Sequence, residues 1–164
     1  IRKLERLGID ARFVFRKKGE PTNYSVVLDS GPERDRTILV YRGASELLCD
    51  KDILWEKLKK MKPKWFYLAP LSGKLAKMTE KIVNFAYKNK VKIAINPGNS
   101  QLFLPSKTLK RILKKVNILF LNQEEASLLA KIPYDKEKEI FKKIDKMCPG
   151  IAVMTKGAEG ITVS

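Results

Sequence analysis

Between residues 64 and 155 this chain repeats one pattern: a short apolar run, a loop, an amphipathic helix. The apolar runs are Lys64–Ala69, Val91–Ile95, Asn117–Leu121 and Ile151–Thr155. The segments around and between them have helical periodicity. Asp50–Met61 carries Ile53, Leu54, Leu58 and Met61, and Lys74–Asn89 carries Leu75, Met78, Ile82, Phe85 and Ala86 on one face. Leu104-Pro105-Ser106 opens a helix to Lys115, with Ser106 as its N-cap. Asn122 opens a short helix to Ala130, and Asp135 opens another to Met147. These strands and helices alternate regularly. They predict a mainly parallel sheet with helices on its faces. Ligands of such sheets bind beyond the carboxyl ends of the strands. The loops predicted there are 70–73, 96–99, 122–125 and 156–160.

The pattern differs before Gly43. Ala11–Arg16, Tyr24–Asp29 and Thr37–Arg42 read as closely spaced strands, with turn residues at Lys17–Pro21 and in the Ser30-Gly31-Pro32-Glu33-Arg34-Asp35 stretch. They predict an antiparallel meander over residues 10–43. Residues 1–9 and 44–164 then form an α/β core. The chain opens at Ile1 on what reads as the tail of a helix closed by Gly8, and Ile161–Ser164 reads as the start of a strand. Both ends read as cuts through a larger domain.

Composition narrows the chemistry. Hydrophobic residues make up 44% and charged residues 32%, which suits a folded core. There is no histidine, so Ser-His-Asp and Cys-His catalysis and His-ligated metals are excluded from these residues. Cys49 and Cys148 lack C-x-x-C spacing and read as reduced, buried and structural. No apolar run is long enough to span a bilayer and no signal-peptide pattern opens the chain, so a cytoplasmic setting is expected. The formal charge is +16. The lysines are scattered along amphipathic helices, so the excess reads first as a solvated surface, with attraction of an anionic ligand such as a nucleotide as another reading, and nucleic acid is disfavoured as a partner.

Two short motifs fall on the predicted ligand edge. Thr155-Lys156-Gly157-Ala158-Glu159-Gly160 is a T-x-G-x-x-G turn between apolar strands. Glycines permit a sharp turn whose backbone N–H groups can hold an anion. Asn122-Gln123-Glu124-Glu125 lies where a strand becomes a helix. Asn at the N-cap with Glu three residues on resembles a capping box. The other reading has Asn122 and Glu125 facing the ligand crevice, because hydrated Mg²⁺ takes few carboxylates and several waters.

Taken in order, Arg36-Thr37-Ile38-Leu39-Val40-Tyr41-Arg42-Gly43-Ala44, Ile95-Asn96-Pro97-Gly98, Leu121 to Leu129 and Val153 to Gly160 resemble the ribokinase, or PfkB-type, carbohydrate kinases. The resemblance covers essentially the whole chain. It implies a three-layer, ribokinase-like (Rossmann-like) α/β fold with a small β-meander lid over a sugar site. It implies ATP and Mg²⁺ as cofactors and phosphoryl transfer to a sugar or nucleoside hydroxyl. By the same resemblance, Asn96, Asn122 and Thr155, Lys156, Gly157, Ala158, Glu159 and Gly160 lie along the nucleotide, and Glu125 serves the metal.

The family's glycine-rich sugar-binding segment would precede Ile1, and its D-T-x-G-A-G-D motif, with the catalytic base, would follow Ser164. The sequence expectation is therefore a central, incomplete and inactive fragment with no catalytic base of its own. A non-catalytic ribokinase-like binding or dimerisation module is the alternative. A homodimer through the lid is compatible with either, since exposed strand edges pair readily.

Overall fold

Residues 1–29, 31 and 37–164 are described by a computed structural model of the chain. The chain divides into two compact units, Ile1–Asp52 and Ile53–Ser164. Residues 1–9 and 44–52, placed with the α/β core from sequence, fall within the first unit.

The first unit begins with helix α1 (Arg2–Arg6). Strands β1 (Tyr24–Leu28) and β2 (Thr37–Tyr41) pair antiparallel, with Tyr24 opposite Tyr41 and Leu28 opposite Thr37. The expected strand at Ala11–Arg16 is corrected: Ala11–Val14 form a turn and Phe15 and Arg16 belong to no strand. The Asp10 carboxylate accepts from the Arg12 backbone N–H at 3.0 Å, and the Val14 N–H donates to the Ala11 carbonyl at 3.0 Å. Local side-chain bonding of this kind competes with a sheet ladder. The meander is thus a two-stranded ribbon among the described residues. Of the turn expected between β1 and β2, Ser30 and residues 32–35 lie outside the described residues, as does Arg36. Short 3₁₀ turns at Gly43–Leu47 and Asp50–Asp52 follow. Asp52 closes this unit by accepting from Lys17 Nζ at 2.6 Å and from the Cys49 N–H at 3.0 Å. The lysine, ahead of the two Cys49 hydrogen bonds, holds the Asp52 carboxyl down at about 2.

The second unit is built on one sheet. Strands β3 (Trp65–Leu68), β4 (Lys92–Ile95), β5 (Ile118–Asn122) and β6 (Ile151–Thr155) lie side by side in sequence order and parallel, and β7 (Ile161–Val163) runs antiparallel to β6. The helices are α2 (Trp55–Met61), α3 (Gly73–Lys77), α4 (Thr79–Lys88), α5 (Asn99–Leu102), α6 (Ser106–Leu113), α7 (Gln123–Ala130) and α8 (Glu137–Met147).

Strand alternation decides which side chains form the core. Register aligns Leu68, Ile95, Leu119 and Ala152 on one face, with Ile93, Leu121 and Met154 beside them. These strand residues pack against Val83 and Ala86 of α4, Ile112 and Leu113 of α6, Leu129 of α7 and Ile140 and Ile144 of α8. Each valine, leucine, isoleucine or methionine among them contributes roughly 1.5–3 kcal/mol when withdrawn from water. The alternate residues point the other way, and Trp65, Tyr67 and Ile151 of that face are exposed.

Several helix starts differ from the sequence expectation. Lys74–Asn89 is two helices meeting at Met78, and Pro105 rather than Ser106 occupies the N-cap of α6. Proline fits a helix entrance because it has no N–H to leave unpaired.

Candidate functional site

The carboxyl ends of β4, β5 and β6 lie along one edge of the sheet, because the three strands are parallel and adjacent. Asn122 ends β5 directly opposite Thr155, which ends β6. Asn96 follows β4, and its N–H donates to the Leu68 carbonyl at the end of β3 at 2.9 Å. The residues singled out in the sequence are therefore carried on successive loops of one edge.

Beyond Thr155 the chain makes a 3₁₀ turn, Gly157–Glu159, and returns as β7. Gly157 has φ +58° and Gly160 has φ +87°, conformations that glycine adopts without steric cost. The turn is closed by Lys156 N–H to Gly160 carbonyl at 2.8 Å and by Glu159 N–H to Lys156 carbonyl at 3.1 Å. Among the described residues the N–H groups of Gly157 and Ala158 have no acceptor. A Cβ built on Gly157 or Gly160 would meet nothing within 4 Å. An exposed turn with two unengaged N–H donors and open space above it fits a phosphate group.

Lys156 is held rather than free. Its Nζ lies 3.2 Å from Glu137 Oε2 at the start of α8, and Glu137 Oε1 accepts from Thr162 Oγ1 of β7 at 2.8 Å. The Thr162 hydroxyl, with the Lys156 ammonium second, holds the Glu137 carboxyl below its ordinary value. This triad ties both ends of the glycine turn to α8. Thr155 Oγ1 approaches the Leu121 carbonyl only at 3.5 Å, too long for a strong bond.

Asn122 and Glu125 form the capping box expected from their spacing. The Asn122 side chain accepts from the Glu125 N–H at 2.7 Å, and Glu125 Oε2 accepts from the Asn122 N–H at 2.8 Å. The second carboxylate oxygen of Glu125 has no hydrogen-bond donor among the described residues. No group of three or more Cys, Asp or Glu residues that could hold a metal occurs among the described residues. This donor set fits only an ion that keeps most of its water, as Mg²⁺ does.

Sequence reasoning missed Gln101. Its side chain is 1% exposed. Oε1 accepts from the Leu71 N–H at 2.8 Å and the Gly98 N–H at 3.0 Å, and Nε2 donates to Thr79 Oγ1 at 3.2 Å. One amide thus joins the loops after β3 and β4. A Cβ on Gly98 would come 3.0 Å from Pro70 Cβ, so the two loops touch. The sequence signal was faint: a glutamine three residues after Gly98 is an N3 acceptor reaching back to an N-cap.

The two cysteines separate. Cys148 is buried, and burial raises its thiol above the ordinary value. Cys49, expected to be buried, is half-buried, with Sγ 3.2 Å from Asp52 Oδ2. Among the described residues no helix is long and apolar enough to cross a membrane.

The chain belongs to the pfkB family of carbohydrate kinases, whose sequence model matches residues 1–164. No curated protein matches it. Among solved structures it is similar to the ribokinase from Giardia lamblia (18% identity, 99% of this chain, 50% of that one, TM-score 0.70). It is also similar to the fructokinase from Xylella fastidiosa (13%, 99%, 54%, TM-score 0.71) and the Methanocaldococcus jannaschii nucleoside kinase (18%, 99%, 50%, TM-score 0.66). At these identities the likeness establishes the fold: a three-layer, mainly parallel α/β fold of the ribokinase-like class. The chain spans about half the length of these structures.

The family match corrects one expectation. A central, incomplete and inactive fragment lacking family motifs was expected, but the family model is matched from Ile1 through Ser164. The expectation rested on two short motifs. The match spans residues 1–164.

Proposed function

We propose that this chain acts in ATP-dependent phosphoryl transfer to a hydroxyl of a sugar or nucleoside. The observation that carries the reading is the Gly157–Gly160 turn, with two unengaged N–H donors beside the end of β5. Its family membership and the names of the similar structures support a kinase of small hydroxyl compounds. MgATP, when bound, supplies the phosphoryl group and a cation that offsets its charge. The N–H groups of Gly157 and Ala158 would hold phosphate oxygens. Glu137, by engaging Lys156, would keep that turn in place. Glu125 would take the water shell of the metal through its free carboxylate oxygen, while Asn122, Asn96 and Thr155 would border the nucleotide. Glu159 and Gly160 would line the outer side of the turn.

The test is calorimetric titration of the chain with MgATP, alongside ADP release with a panel of sugars and nucleosides. Gly157→Val, which blocks the cradle and opposes its backbone, should weaken nucleotide binding at least ten-fold. Glu125→Gln should raise the Mg²⁺ requirement while leaving the melt unchanged, because glutamine keeps the capping bond. No MgATP binding at millimolar concentration, or equal binding by Gly157→Val, would sink the reading.

A homodimer through the ribbon is supported by a separate observation. Every residue of β1 and β2 is exposed, including Val26, Val27, Leu28, Ile38, Leu39 and Val40. Two strands alone are marginally stable in water. Sedimentation of the parent beside Val27→Lys decides it: a monomeric parent refutes the dimer.

A further inference from the structure

The opposite, amino end of the sheet carries a second surface. An open concavity of about 680 Å³ lies there, lined by Lys88, Lys90, Lys92, Lys114 and Lys115 with Tyr87, where β4, β5 and β6 begin. Among the described residues its lining holds no carboxylate. A neighbouring hollow of about 450 Å³ shares Lys90 and adds Lys59, Lys62 and Lys64. Lysines that look scattered along the sequence are thus gathered at one end by the fold. The ends of α4 and α6 bring in Lys88, Lys114 and Lys115, and the first residue of β4 brings in Lys92.

A bland reading is that lysines at helix ends complement the helix dipole. Its magnitude is too small, since each helix end presents only about half a negative charge. Two helix ends against five ammonium groups leave a strong positive excess. Among the described residues Lys88, Lys90 and Lys114 have no ion-pair partner. Lys115 is bonded to Asn84 and lies over the Tyr87 ring, 5.6 Å from its centroid. Two acids adjoin the concavity: Asp145, which lines the next hollow with Gly150 and accepts from Ser164, and Glu80, which lies beside Lys88 and feels the Lys115 ammonium but is engaged by Arg111. Lys62 (φ +48°) and Lys90 (φ +58°) also occupy left-handed positions where glycine would be easier.

Aromatic rings stand among these charges. Tyr87 is 60% exposed and Trp65 is 44% exposed, the latter with Lys92 Nζ 5.3 Å from its ring. Two adjoining hollows are wider than one phosphate requires. Lysines that track a phosphate backbone, with exposed rings on which bases stack, form the two parts of a single-stranded nucleic-acid surface. We propose that the amino end of this sheet binds single-stranded RNA or DNA without sequence preference, with Lys88, Lys90 and Lys114 on phosphates and Tyr87 stacked on a base. The proposal is independent of phosphoryl transfer, which concerns the other end of the strands.

The test is fluorescence anisotropy of the chain with a labelled twenty-nucleotide oligo(dT) across a salt series. The parent should bind, with log affinity falling linearly with log salt. The triple variant Lys88→Ala, Lys90→Gly and Lys114→Ala should flatten that slope by about 2, since each lost phosphate contact on a single strand removes about 0.7. Tyr87→Leu should weaken binding roughly five-fold or more, the lower bound of one base stack. Lys90→Gly relieves a left-handed residue, so its melt should match or exceed that of the parent and separate binding from misfolding. The control Lys74→Ala, Lys107→Ala and Lys138→Ala removes equal charge from helix starts and should keep the parent slope. Equal weakening by the control overturns the proposal, as does duplex binding as tight as single-strand binding with Tyr87→Leu silent. Binding to vesicles with one-third anionic lipid but not to the oligonucleotide also overturns it.

Discussion

Replacing Gln101 with alanine should destabilise the second unit by about 3 kcal/mol. The side chain is fully buried and accepts from two backbone N–H groups, those of Leu71 and Gly98. Each donor left without an acceptor costs roughly 1–3 kcal/mol. Both sites are only partly buried, so water recovers some of the loss and a sum in the lower half of the combined range, about 3 kcal/mol, is expected. At a urea slope of about 2 kcal/mol/M the midpoint should fall by about 1.5 M. Trp55 and Trp65 are the only tryptophans, and both lie in Ile53–Ser164, so intrinsic fluorescence reports this unit alone. Gln101→Met separates packing from hydrogen bonding, because methionine restores the volume without the acceptor. If polar pairing dominates, the methionine variant loses nearly as much as the alanine variant. A midpoint for both within about 0.5 M of the parent would refute the argument that this amide holds the loops after β3 and β4.

Three further outcomes are expected. Asn122→Ala removes the N-cap of α7 and should cost about 1 kcal/mol in the same urea assay. Glu137 has a folded pKa below its unfolded value, so its contribution is full above the ordinary glutamate range, about 4.3, and fades as pH falls through the lower folded value. Glu137→Gln should therefore lower stability at pH 7 and leave a shallower loss between about pH 5 and 3, read by fluorescence-detected unfolding at each pH. In native conditions a thiol reagent should titrate Cys49 quickly and Cys148 only upon denaturation, because burial keeps the latter both neutral and inaccessible. Two fast-reacting thiols would count against that burial.

Much of the fold was legible because it is encoded over short distances. The apolar runs at 65–68, 92–95, 118–122 and 151–155 became parallel strands, since helices too long for a hairpin separate them. The capping box at Asn122 and Glu125 was readable because both partners sit within one helical turn. The glycine turn after Thr155 was readable because its closing hydrogen bonds run between backbone groups within Lys156–Gly160. Where a strand needed a distant partner, the sequence misled. Ala11–Arg16 has the residue types of a strand, but Asp10 and Ala11 take its N–H groups locally.

By itself, then, the sequence determined the alternation of elements, the edge of the sheet on which Asn96, Asn122 and Thr155 would fall, and the local turns at Gly157 and Gly160. Periodicity and capping act within a few residues, so one dimension suffices for them. Only the tertiary structure decided that Gln101 reaches Leu71 across 30 residues and Thr79 across 22, and that Lys156 is held by Glu137. It also decided that Lys88, Lys92 and Lys114, from two helix ends and a strand, share one face. These pairings join residues that the crossover connections bring side by side, and no local spacing in the chain encodes which of them will meet.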